Sequence, residues 1–501
     1  MKKLSALLTF CFIAMASFCQ TGPGGIGGPD TLQGQPQNVL WLRANDLKLN
    51  DGDTVLSWKD KSGRKHDAIG KNEGDYKAPV FKTNAINGYP VVSFPTDPGL
   101  GENEVFYLRI PDNVDFEETN KFSLFVVFKR NKTNQASTGD NYSALISKRH
   151  YNKESFAESW ILEFNNQQDL QFRYTLVSGD KKYSDKNNTH FTDSINYYLY
   201  NFVWDGEKTA HFVQGKADMP DFIYWSEPFQ NKASDVEICR NEYSSIAEVI
   251  IYKDYVNSAQ RIILENYIAT KYGLTLKSIL GTPKANIYAN ANYAKELIGI
   301  GTDAAVDQSA TETHYQAAGG GLGLEAVSGF DTDGEYVMAA HNGASVSNFA
   351  KWQRLWYVKV KSENNNESIK MVFDFAAVET INPTSPETYK LYHSTGATFT
   401  GLSITPTLDG ASKLVFEVDN VQSGYYTISS AGAPDPLEGP SPAGNVTALK
   451  STVVKAYPNP ATDNLTVPIG PGENTNYAVN IFDNTGRLIK KFKRPSQQQW
   501  H

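Results

Sequence analysis

The chain of 501 residues is long enough for two to four domains, each with its own core. Aromatic residues make up 12% of it, with 27 tyrosines and 26 phenylalanines, against 20% charged residues, a balance that favours folded β-structure over disorder. The formal net charge is −8, and two units more negative once Lys2 and Lys3 leave with a leader, which argues against a nucleic-acid partner.

The first element is a secretory signal, residues 1–19. Lys2-Lys3 precede an apolar run over 4–18 that is too short for a comfortable membrane span. Ser17 and Cys19 supply small residues at −3 and −1, placing cleavage between Cys19 and Gln20, while the bulky Phe18 disfavours a lipidated Cys19. No later stretch is long and apolar enough for a transmembrane helix, so none is expected once the signal is removed. Cys11 and Cys19 leave with the signal. Cys239 then stands alone, and an intrachain disulfide is excluded. Residues 20–37, rich in Gly and Pro, read as a flexible leader.

Residues 38–276 read mostly as strands. "KFSLFVVFKR" (121–130) is an apolar run of β-formers with charged flanks, and "INYYLYNFVWDGEKTAHFVQG" places two such runs around Asp205-Gly206, a hairpin signal. One helix follows. Asn257 caps it with Gln260 at capping-box spacing, Ile263, Leu264, Tyr267, Ile268 and Tyr272 share a face, and Gly273 ends it. From 285 to 430, "EYVMAAHNG", "KWQRLWYVKV", "SIKMVFDF", "TYKLYHS", "KLVFEVD" and "GYYTISS" read as short strands of a second β-sandwich. "AAGGGLGLEA" (317–326) lacks the Lys-Ser/Thr ending of a phosphate loop and reads as a glycine-rich turn between strands. Residues 431–452 form a Pro-rich linker, and 453–501 a last small domain with a hairpin around Asn484-Thr485-Gly486.

Three stretches carry resemblances. Residues 38–70, through Trp41-Leu42-Arg43-Ala44, Trp58, Asp60, Ser62-Gly63 and His66-Asp67-Ala68, resemble the opening of laminin G-like, concanavalin A-like jelly-roll modules; 246–276 resembles their closing strand and helix. "ELIGIGTD" and "WQRLWYVK" resemble an uncharacterised β-domain that follows such modules. "VVKAYPNPATDNLTV" resembles the start of the type IX secretion system C-terminal sorting domain, on Tyr457, Pro458, Asn459, Pro460, Asn464 and Leu465; relative to that family, the ending "KRPSQQQWH" looks shortened. Together these imply an all-β chain: a laminin G-like jelly-roll sandwich with one C-terminal helix, a second β-sandwich of unknown function, and a small immunoglobulin-like sorting domain. They imply the type IX secretion machinery as a partner, and a place at the cell surface or in the medium.

Chemistry is sparse. There is no His-Glu-x-x-His, no Cys/His cluster and no Gly-x-Ser-x-Gly elbow. In "FEVDNV", Glu417 and Asp419 have the spacing of a laminarinase strand but lack its second Glu, and they read as a solvated strand face. The laminin G-like resemblance implies calcium, with Asp51, Asp53 and Asp60 as candidate ligands. The favoured alternative places Asp51 and Asp53 in a turn and has Asp60 bond the Lys-Ser-Gly backbone. Tyr151, Trp160 and Trp225 are candidate platforms for a sugar, against burial as the default for aromatics. The expected function is binding of a glycan or an extracellular protein, as in adhesins, rather than catalysis. The alternatives are a secreted glycoside hydrolase or accessory carbohydrate-binding protein acting on polysaccharide, and a structural spacer.

Overall fold

The computed structural model describes residues 22–432, except for 29–34, 96–104, 133–142, 184–188, 219–222, 278–285, 347–351, 379–382 and isolated single or paired positions, together with the backbone of two tail strands. It divides into two compact units, Met1–Leu437 and Glu438–His501.

The first unit contains two all-β sandwiches joined by one helix. In the first sandwich a nine-stranded sheet faces an eight-stranded one. The apolar run at 121–130 is the strand Phe122–Arg130, paired with Tyr198–Trp204 on one side and Ser244–Tyr252 on the other. Asn38–Arg43 also pairs with Ser244–Tyr252, so the opening and closing stretches of the sandwich lie side by side in one sheet. The expected hairpin joins Tyr198–Trp204 to Lys208–Val213, with Gly206 at positive φ and the Asp205 carboxylate accepting from the Glu207 and Lys208 amides. Between the sheets lies an aromatic core in which Phe172 of one sheet stacks on Phe202 of the other at 4.0 Å.

The helix, Ser258–Tyr272, has its full capping box between Asn257 and Gln260, and Gly273 closes it at φ 66°. One apolar face was expected; all fifteen residues are buried. Ile263, Leu264, Ile268 and Tyr272 share a core with Phe125, Val127 and Ile250 of the first sandwich and with Leu297, Met338 and Ala340 of the second. The polar residues that a sequence reader assigns to solvent are buried with partners. Arg261 pairs with Glu265 at 2.7 Å, Asn266 donates to the Ile262 carbonyl, and Lys271 pairs with Glu248 at 2.6 Å. Gly299 permits the close approach, since a Cβ there would sit 3.2 Å from Ile263.

The Gly/Pro-rich leader departs from its expectation. Residues 22–28 are buried, with a 3-10 turn at Pro23–Gly25. Gly24, Gly25 and Gly27 all have positive φ, and a Cβ on Gly25 would lie 2.8 Å from the Ala317 Cβ. Gly25 thus lets backbone pass against the second sandwich where no side chain fits, and Gly27 does the same against the Pro36 carbonyl, 2.2 Å from where its Cβ would stand.

In the second sandwich a seven-stranded sheet faces a five-stranded one around Trp356, Met371, Phe373, Leu414 and Phe416. All six strands read from the sequence form, from Glu335–His341 to Gly424–Ser429. In the second unit, Tyr477–Phe482 pairs antiparallel with Leu488–Arg494, the hairpin expected around Asn484-Thr485-Gly486. The signal, Cys19, Gln20 and the motif residues Tyr457, Pro458, Asn459, Pro460, Asn464 and Leu465 lie outside the described residues.

Candidate functional site

A cleft of about 580 Å³ opens where the two sandwiches meet. Trp41, Arg43 and Lys61 line it from the first sandwich, Tyr267 from the helix, and Gly22, Gly24 and Gly25 from the N-terminal segment. Glu296, Arg354, Asp374 and the glycine run at 319–323 complete it from the second sandwich.

The glycine run is the turn read from the sequence. Gln316–Gly319 pairs with Leu322–Ser328, and Gly320 and Gly321 both have positive φ, the geometry of a tight two-residue hairpin. A Cβ on Gly320 would lie 2.6 Å from a Glu296 carboxylate oxygen and 2.9 Å from the His341 ring, so only glycine brings backbone this close to that pair. Glu296 sits where the strand Lys295–Ala304 slips register, and it is held at φ 49°, a backbone conformation non-glycine residues rarely adopt. The slip leaves its carboxylate half-exposed at the cleft.

The groups beneath the cleft are fixed by hydrogen bonds. The buried Glu248 carboxylate accepts from Trp41 Nε1 at 2.6 Å, Tyr267 hydroxyl at 2.9 Å, Tyr272 hydroxyl at 2.7 Å and Lys271 at 2.6 Å. Burial alone would raise its pKa; the charges of Lys271 and Arg43 and these bonds bring it below the ordinary value. Burial pulls Lys271 down to about 8 despite Glu248. Arg43 lies over the Trp41 ring at 4.6 Å and donates Nε and Nη2 to Asp46. Arg354 donates to the carbonyls of Ala344 and Gly320. His341 Nδ1 accepts from the Gly343 amide at 2.9 Å, which leaves Nε2 to donate to Glu296 at 3.4 Å. Burial lowers the His341 pKa, and its hydrogen bond lowers that of Glu296. Asp374 is engaged in structure, accepting from the Ala376 and Ala377 amides at 3.0 and 3.2 Å.

Of the residues singled out in the sequence, Asp60 accepts from the amides of Trp41, Ser62 and His66 and from the Ser62 hydroxyl, so it ties the Lys-Ser-Gly turn to the strand Asn38–Arg43. Asp51 accepts from the Thr83 amide and Asp53 from the Asn50 amide. Among the described residues, no three His, Cys, Asp or Glu side chains come together to hold a metal ion. Trp160 is wholly buried and stacks with Phe172, so it presents no face to a sugar. Tyr151 lies on the strand Ser143–Asn152 with its side chain outside the described residues, as is all of Trp225. Glu417 is exposed, with Asp419 beside it, as a solvated face should be. Lys61, Glu296 and Arg354 fall within stretches whose resemblances were read for fold, and none of the three was read as a ligand residue. The glycine run beside them was the only local signal, and it read as a turn.

Comparison with known families bears on the tail first. A model of the secretion system C-terminal sorting domain matches residues 455–500. The tail is a sorting domain. The chain is therefore exported through both membranes to the cell surface or the medium, and among the described residues no helix is long and apolar enough to cross a membrane. A second model, a domain of unknown function (DUF8202), matches residues 260–424, which takes in most of the helix and nearly all of the second sandwich. No curated protein matches the chain. Similar solved structures include domain 4 of an extracellular arabinanase from Geobacillus stearothermophilus in complex with arabinotriose, at 13% identity and TM-score 0.32, over 46% of this chain and 98% of that one. The binding domain of botulinum neurotoxin serotype G matches at 11% identity and TM-score 0.32, over 78% and 92%. Trypanosoma rangeli sialidase in complex with sialic acid matches at 13% and 0.27, over 48% of this chain and 36% of its own. At these scores no residue role is carried over from them.

Proposed function

We propose that the protein is an exported glycan-binding protein whose binding site is the cleft between its two sandwiches. The composite cleft carries this reading. Its volume, about 580 Å³, suits a few sugar rings. Its walls combine the nearly buried aromatics Trp41 and Tyr267, charged donors and acceptors, and the bare backbone of a glycine hairpin. Such mixtures of apolar surface and convergent polar groups suit polyhydroxylated ligands. Export to the surface or the medium places the site where glycans are met.

Binding is favoured over hydrolysis. A hydrolase needs two carboxyl groups in acid and base or nucleophile roles, about 5–9.5 Å apart. Two carboxylates line the cleft, and Asp374 already caps two backbone amides. A glycan array probed with the secreted chain tests the reading. Retention on a subset of oligosaccharides, with no reducing ends released from them, is the expected result. Release of reducing ends would move the protein to the hydrolases, and a blank array would leave the cleft without this role.

A further inference from the structure

Three cations from three separate segments converge on the cleft: Arg43, Lys61 and Arg354. Each is placed differently. Arg43 has Nε and Nη2 committed to Asp46 and lies over the Trp41 ring. Arg354 is braced by two backbone carbonyls, through Nε and Nη1, which fixes the direction of its remaining nitrogen. Lys61 is anchored through its amide to the Trp41 carbonyl, and among the described residues its ammonium has no carboxylate partner. Against them stand two lining carboxylates, of which Asp374 is occupied by amides and only Glu296 is half-exposed. With Arg43 neutralised by Asp46, Lys61 and Arg354 face Glu296 as the one lining carboxylate not already bonded to backbone amides. A neutral sugar needs no such pair of cationic donors, whereas a carboxylate or sulfate ester on a sugar would pair with them.

We infer that the cleft selects acidic glycans, with Lys61 and Arg354 pairing with a carboxylate or sulfate group of the ligand from opposite sandwiches. This rests on the glycan-binding reading above. Glu296, beside that site, then acts against affinity and sets a limit on how much negative charge is accepted.

The test is calorimetric titration of the secreted chain with three sets of oligosaccharides of equal length: neutral, uronate-bearing and sulfated. The wild-type chain should bind one or both acidic sets and lose affinity with added salt. Lys61→Met keeps the aliphatic stem and Lys61→Glu reverses the charge. Each should weaken acidic binding, the reversal by about tenfold or more, the effect expected of one charge contact in a half-wet cleft. Glu296→Gln should tighten acidic binding, a gain that a merely structural role would not produce. Thermal unfolding of both Lys61 variants should match the wild type, since no ion pair is broken. Whichever acidic set binds identifies the anionic group. Equal or tighter binding of the neutral set, or acidic binding untouched by Lys61→Glu, overturns the inference and leaves the glycan-binding reading standing. Failure of all three sets overturns both.

Discussion

Single residues in this protein are held in states that water would not give them. His211 is fully buried, 2.6 Å from the Tyr200 hydroxyl, and burial lowers its pKa from 6.5 to about 3. His314, buried near Gln260, is lowered from 6.5 to about 4 for the same reason, against a weaker upward pull from the Gly25 backbone. Both imidazoles are neutral in the folded chain. As pH falls through 6.5 the unfolded chain takes up these protons and the folded chain does not, so stability must fall with pH down to the folded values. The slope is at most about 1.4 kcal/mol per pH unit for each histidine. Between pH 6.5 and about 5 ordinary carboxylates are still ionised, so histidines contribute to the slope there, and His341 and His393, also lowered by burial, keep a share of it when His211 and His314 are replaced. Urea unfolding across that window should show a declining midpoint for the wild type and a flatter profile for His211→Gln with His314→Gln. Equal slopes would show that neither histidine stays neutral. Cys239, buried with its thiol pushed up by that burial, adds the same lesson in redox form: it packs as a small apolar group.

Local elements were read best where their cause is local. The helix showed itself through Asn257, Gln260 and Gly273, because caps act over three or four residues. The tight turn at Gly320-Gly321 showed itself through glycine alone. What escaped depends on partners distant in sequence. Arg261, Glu265 and Lys271 look like a solvent face until Phe212, Asn201 and Glu248 of the first sandwich come against them. Residues 22–28 look like a flexible leader until the helix and Ala317 are in place around them. The cleft has the same character, since Lys61, Glu296 and Arg354 stand far apart in the chain and meet only because two sandwiches share one helix. The buried leader can be tested directly. Gly25→Ala adds a Cβ 2.8 Å from that of Ala317 at a backbone φ of 78°, so strain and overpacking add. A loss of about 2–4 kcal/mol is expected. Gly52→Ala, at φ 87° with nothing within 4 Å, carries only the backbone strain and should cost about 1–3 kcal/mol. Chemical unfolding should show the larger loss for Gly25→Ala, by about 1 kcal/mol or more, the overpacking contribution; a loss no larger than that of Gly52→Ala would return residues 22–28 to the role of a loose leader.

At the scale of the whole molecule, folding and export are assigned to different parts of the chain. The sandwiches, helix and cleft fall within Met1–Leu437, and the sorting match falls within Glu438–His501. Among the described residues, the cores of the sandwiches are built from residues between Ile26 and Ile428. Removing 453–501 should therefore leave the unfolding transition of the first unit unchanged while removing the address that the secretion machinery reads. The truncated chain should still lose its signal, because residues 1–19 are untouched, and should accumulate folded in the periplasm. The prolines of the motif fix two backbone φ angles and withhold two amide donors, so they shape the entry to the sorting domain rather than its whole surface. Pro458→Ala with Pro460→Ala should accordingly reduce export less than the deletion does. Fractionation into periplasm, cell surface and medium, with limited proteolysis to report folding, reads all of these outcomes together. Equal surface and medium levels with and without 453–501 would separate the segment from export. A truncated chain that is retained but degraded would show instead that the second unit supports the fold of the first.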